Sequence, residues 1–128
     1  MWIKNNAYVN LLTAQAVTTT STSPTTYVDM STYASINNRE VMAVINEGAM
    51  TTVTTATYAI TECATTNGTY TAPPYGTTSY VSTNTAGEVI KLPFYNTKRY
   101  VHLEITVNAT GSVPVAAMIV ALNRETNG

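Results

Sequence analysis

Charge is what this chain has least of. Only 10% of its 128 residues are Asp, Glu, Lys or Arg, far below the roughly one quarter typical of soluble domains, so its polar surface must be mostly uncharged. Six Lys and Arg against seven Asp and Glu leave a formal charge of −1. The cations stand singly, so no basic stripe exists to neutralise phosphates, and nucleic acid is not an expected partner. The single cysteine, Cys63, cannot close an internal disulfide. Its neighbours Glu62 and Ala64 offer no activating cation, which reads as a buried, inert thiol. No apolar run approaches the roughly 20 residues of a membrane span, and the short patch "YVNLL" after Lys4 is too brief for a signal-peptide core. No membrane partner is expected, and synthesis in the cytoplasm without classical secretion is.

Groups that do chemistry are equally scarce. One His, one Cys and one Asp are too few for a nucleophile with its base or for a three- to four-ligand metal set. His102 is the one candidate base, but it lies within an alternating strand between Val101 and Leu103, where a structural histidine is the plainer reading. Asp29, at a strand end, reads as a turn residue. The six Gly are dispersed at turns and form no phosphate loop. Asn67-Gly68-Thr69 and Asn108-Ala109-Thr110 match the glycosylation sequon, a match that a Thr-rich chain produces by chance. The expectation is a protein that is not an enzyme and holds no cofactor and no metal.

What the chain has in abundance is Thr, about a fifth of all residues, a β-branched residue that favours extended backbone. Period-two alternation supports the same reading. Ala56, Tyr58 and Ile60 face one way in "TTVTTATYAITECA", and Val101, Leu103, Ile105 and Val107 share a side in "RYVHLEITV". "REVMAVINEG" and "GEVIKLPF" read as further short strands. Asn67-Gly68 and Gly111 mark turns. The β-branched run and early Gly48 argue against a helix over "SINNREVMAVINEGAM". The expected fold is all-β, a two-sheet β-sandwich or jelly roll of seven or eight strands. Residues 1–26, ending in "TTTSTSPTT", are expected to form an N-terminal segment and Thr-rich arm, with the sandwich over 27–128.

Two features point to contact surfaces. Nine Tyr accompany one Phe and one Trp, and Tyr70, Tyr75 and Tyr80 surround the Pro/Gly stretch "YTAPPYGTTSY", where they suit an interface or a carbohydrate platform. The segment "VPVAAMIVAL" is apolar on both faces, as a strand covered twice or pressed against another subunit would be. Val115 and Met118 on it, together with Trp2, Ile3, Tyr8, Leu11 and Leu12, are the other candidate interface residues. A sandwich core closed by the N-terminal segment is the alternative.

"GEVIKLPF" followed by "KRYVHLEITVNATGSVPVAAMIVAL" resembles the C-terminal half of the decoration, or cement, proteins of tailed-bacteriophage capsids. "YVDMSTYASINNREVMAVINEGA" and "ATYAITECATTNGTYT" resemble upstream strands of the same family, so the resemblance spans residues 27 to 122. It implies a non-enzymatic virion protein on the capsid exterior, assembled in the host cytoplasm. Such a protein is a homo-oligomer, as a trimer, that bridges subunits of the major capsid protein and stabilises the shell. Arg99 and Tyr100 match the family's most recurrent pair, with a structural role implied. Alternatives are a glycan- or host-receptor-binding module using the Tyr loop, or a tail or connector component.

Overall fold

The computed structural model describes residues 8–18, 27–32 and 39–121. Eight strands run through them: β1 (Tyr8–Val17), β2 (Val28–Asp29), β3 (Glu40–Glu47), β4 (Ala56–Cys63), β5 (Ser79–Ser82), β6 (Val89–Tyr95), β7 (Tyr100–Val107) and β8 (Val113–Ala121). They form two four-stranded sheets, ordered β1-β8-β3-β6 and β2-β7-β4-β5. β1 pairs with β8, β2 with β7, β3 with β6 and β4 with β5, all antiparallel. That is one long hairpin folded across itself so that successive pairs fall in opposite sheets, the wrapping of a jelly roll. The all-β, two-sheet expectation holds.

The alternation in the sequence is what divides core from surface. Val41, Ala43, Ile45, Leu92, Phe94 and Ile119 of the first sheet meet Tyr58, Ile60, Leu103 and Ile105 of the second, each no more than 1% exposed. Burying a large apolar side chain is worth about 1.5–3 kcal/mol, so this layer supplies the main term against chain entropy.

The sandwich starts at β1 rather than at residue 27. β1 follows β8 along its length, but its register slips between Asn10 and Leu12 and again between Leu12 and Gln15. Each slip adds one residue to β1, as a β-bulge does, so inward and outward positions stop alternating. Leu11 and Leu12 are consequently both buried, at 3% and 1% exposure. Aperiodic burial of this kind resembles an arm when only the sequence is read. Of the Thr-rich tract, residues 19–26 lie outside the described residues.

Two connections position the features below. Between β3 and β4 the chain crosses from one sheet to the other, and Thr52 adopts φ 72° on the way. Asn108 clamps that crossing. Its Oδ1 accepts from the Thr54 and Thr55 amides at 3.0 Å each, and its Nδ2 donates to Thr54 Oγ1 at 2.8 Å. Gly111 lies so close that a Cβ there would come within 2.1 Å of the Thr51 carbonyl oxygen. After β4, the expected turn around Asn67-Gly68 brings Thr71 back to bridge Glu62. The following stretch then lies along β6, with the Thr77 amide donating to the Pro93 carbonyl at 2.7 Å and the Tyr95 amide to the Tyr75 carbonyl at 3.1 Å. An edge strand is thereby covered.

Candidate functional site

The outer face of the first sheet is apolar over β8, β3 and β6, and turns polar where β1 sets Asn10 opposite Met118. Cross-strand register sets Met42, Pro93 and Val120 in one row, Val44, Lys91 and Met118 in the next, and Asn46, Val89 and Ala116 in a third. Lys91 is the one charged side chain in those three rows, and Glu40 stands at the margin opposite Tyr95. Val89 is 58% exposed and Tyr95 41%. No strand among the described residues lies over this face. At its β1 end Ala14, Gln15, Asn46, Gly48, Pro114 and Ala116 line a shallow concavity of about 430 Å³. An outward surface of this composition differs from the polar outer face that an antiparallel sheet normally turns to water.

This arrangement separates the expected interface residues. Met118 lies on the outer face, half-buried beside Val44. Val115 points the other way and is 2% exposed. With Leu11 and Leu12 it belongs to the core, so these three have no side chain left to present to a partner, and their assignment to an interface is corrected. Tyr8 is placed by its backbone opposite Val120. Trp2 and Ile3 lie outside the described residues. The three tyrosines of the Pro/Gly region do not converge: Tyr70 stacks on His102 at 3.9 Å, Tyr75 is 69% exposed beside β6, and Tyr80 on β5 donates to Glu88 Oε2 at 3.1 Å.

Two carboxylates that extend the inward-facing series of their strands end up inside the sandwich. Glu47 follows Val41, Ala43 and Ile45 on β3, and is 7% exposed. Its Oε2 accepts from the Tyr58 hydroxyl at 2.7 Å, and its Oε1 lies 2.7 Å from Ser82 Oγ, which is also 2.8 Å from Glu88 Oε2. Burial, reinforced by the hydrogen bond to Glu47, pushes the Tyr58 phenol far above its usual range, so it remains a donor. This network joins β3 of one sheet to β4 and β5 of the other. Gly87 makes it possible: at φ 92°, a Cβ there would lie 2.4 Å from the Glu47 carbonyl oxygen.

Glu62 follows Ala56, Tyr58 and Ile60 on β4 and is fully buried. Its Oε1 accepts from Asn96 Nδ2 and from the Thr97 and Lys98 amides at 3.2, 3.0 and 3.1 Å, and its Oε2 from the Thr97 hydroxyl. Four donors from the β6–β7 turn thus meet the cost of burying the carboxylate. Both glutamates are legible as acids at inward register positions, a signal absent from any motif.

The outer face of the second sheet is built differently. Asp29 on β2 receives both Nε and Nη2 of Arg99 at 2.9 Å, and also the Ser31 hydroxyl at 2.7 Å. These contacts, the Arg99 bond foremost, hold its carboxyl well below the usual carboxylate range. The Arg99 guanidinium also lies 5.0 Å from the Tyr100 ring centre. Asp29 is therefore more than a turn residue, and Arg99 and Tyr100 tie β2 to β7. Cys63 is 7% exposed beneath the following loop, where a Cβ on Gly68 would come within 2.7 Å of its Sγ.

Among the described residues no three His, Cys, Asp or Glu side chains gather as a metal site would require, and no helix is long and apolar enough to cross a membrane. The chain matches no protein-family model and no curated protein sequence.

Proposed function

We propose that this chain is a non-enzymatic structural protein of a virion, a decoration subunit that docks on a bacteriophage capsid and stabilises it by bridging major capsid protein subunits. It acts as a trimer. The observation that carries the reading is the outer face of the first sheet, where Met42, Val44, Val89, Ala116, Met118 and Val120 form an apolar surface with a single cation. A face like this gains its stability by leaving water against another protein. The eight-stranded jelly roll is compatible, since such domains build viral shells among many other things, although the topology alone does not choose a function. The resemblance over residues 27 to 122 supplies the setting.

The test combines two measurements. Sedimentation of the purified chain is expected to show a trimer, and antibodies raised against it are expected to label the outside of intact phage particles. A monomer at high concentration, together with particles that bind no antibody, would overturn the proposal. Labelling confined to tails would move the protein to another part of the virion.

A further inference from the structure

The solvent face of the second sheet gathers four rings. β2 and β7 pair with Val28 opposite Val101 and Asp29 opposite Tyr100, which brings Tyr27 alongside His102. Tyr27 meets Tyr100 edge-on, with ring centres 5.2 Å apart and planes at 81°, and its ring centre is 6.2 Å from that of His102. Tyr70, returning from the turn after β4, lies flat against the imidazole, with ring centres 3.9 Å apart and planes at 5°.

Aromatic pairs across strands stabilise a sheet without further purpose. Three observations go beyond that. The Tyr58, Tyr70 and Tyr80 hydroxyls each have a protein acceptor, whereas no hydrogen bond from the described residues reaches the Tyr27 or Tyr100 hydroxyl or either imidazole nitrogen. Tyr27 remains 43% exposed although it is packed in the cluster. Finally, Glu104 lies on the same outward series of β7 as Tyr100 and His102, with its Oε2 bound at 3.3 Å to the Thr61 hydroxyl. The surface therefore offers apolar ring area together with uncommitted donors and acceptors.

We infer that this cluster is a carbohydrate site for a neutral hexopyranose. The C–H face of a sugar ring packs on the exposed ring of Tyr27, which Tyr100 supports edge-on, and its hydroxyls exchange hydrogen bonds with the imidazole of His102 and the carboxylate of Glu104. Neutrality follows from the charges: Arg99 donates to both carboxylate oxygens of Asp29, and Glu104 repels acidic sugars. A nucleobase would also stack on tyrosines, but single-stranded nucleic acid needs a cationic groove for its phosphates, which this face lacks. The inference is independent of the docking face proposed above, which lies on the other sheet.

His102 is the chain's one histidine, so its ring resonances are an unambiguous reporter. The experiment titrates the intact protein at millimolar concentration with the methyl glycosides of glucose, galactose, mannose and N-acetylglucosamine, and separately with sialic acid. At least one neutral glycoside is expected to shift the His102 signals saturably. Loss of one stacking ring in Tyr27→Ala should weaken that binding about threefold to tenfold. Tyr75→Ala, on a side chain outside the cluster, should leave it unchanged. Melting curves confirm that each variant is folded, and the wild-type titration stands without them. The inference is overturned if no neutral glycoside shifts His102, if sialic acid alone does so, or if Tyr27→Ala binds as tightly as the wild type.

Discussion

Glu47 and Glu88 approach the same hydroxyl, that of Ser82, at 2.7 and 2.8 Å. Counting hydrogens shows what this demands. The Tyr58 hydrogen goes to Glu47, the Tyr80 hydrogen to Glu88, and Ser82 has one hydrogen for two carboxylates. With both glutamates ionised, one of those contacts joins two acceptors. A carboxamide at 47 would supply the missing hydrogen, since Tyr58 and Ser82 reach different oxygens of Glu47. The amide oxygen keeps the Tyr58 donor and the amide nitrogen donates to Ser82, so Glu47→Gln should raise stability at neutral pH by about 1 kcal/mol. Glu88→Gln should bring no such gain. Tyr80 and Ser82 share one oxygen of Glu88, so an amide nitrogen placed there would face the Tyr80 donor and cost about 1 kcal/mol. Denaturant midpoints of the two variants measure the difference, and equal losses in both would refute the hydrogen count.

His102 gives stability a pH dependence of predictable sign. Burial lowers its pKa below the ordinary imidazole value, and the nearby Glu104 opposes the shift only in part. Near the unfolded pKa of about 6.5 the unfolded chain therefore binds more protons than the folded one. Stability should accordingly rise with pH across this window and fall as pH drops from about 6.5 through the folded value. Thermal melts between pH 7 and 5 should show that slope in the wild type and a flatter one in His102→Phe, which keeps a ring under Tyr70. An unchanged slope would assign the effect to other groups.

Thr52 is the one non-glycine among the described residues with positive φ, at 72°. A β-branched side chain is poorly tolerated in that region, and the crossing between the sheets is held in place by the Asn108 clamp. Thr52→Gly should therefore stabilise the fold by up to about 1 kcal/mol, the relief of strain outweighing the added freedom of the unfolded chain. Asn108→Ala removes three hydrogen bonds from the same crossing and should cost about 1–3 kcal/mol. Urea unfolding of both variants checks the pair, and a destabilised Thr52→Gly would contradict the strain argument.

How much of this was legible beforehand depends on the register of each strand. β4 and β7 alternate without interruption, so their inward residues, from Ala56 to Ile60 and Val101 to Val107, could be read directly. β1 could not, because its two register slips bury Leu11 and Leu12 side by side, and period two is the signal that a bulge erases. The ring cluster was out of reach for another reason. It joins Tyr27, Tyr70, Tyr100 and His102 from three separate stretches of chain, and only the pairing of β2 with β7 and the return of the loop after β4 bring them together. The tyrosines grouped by sequence, 70, 75 and 80, diverge because a Pro- and Gly-rich stretch carries them to different edges of the roll.

Strand β8 is apolar on both sides, and its two faces make opposite predictions. Its inner residues and the leucines of β1 hold the core, so Leu12→Ala should lose about 2–5 kcal/mol through transfer and cavity terms, with no effect on capsid attachment where the variant is still folded. The outer face should behave in the contrary way. Val44 lies between Met118 and Lys91 in one cross-strand row, so Val44→Glu introduces a charge where a cation stands directly opposite. A cross-strand pair of that kind is worth about 0.2–1 kcal/mol and should compensate the fold for the lost apolar contact. The same charge has no counterpart on an apolar partner surface, and leaving it unpaired at a closed contact is costly. Val44→Glu should therefore keep its melting temperature while losing co-sedimentation with capsids, and Leu12→Ala should lower its melting temperature while still attaching where it is folded. If Val44→Glu attaches normally, the outer face of the first sheet is not the docking face.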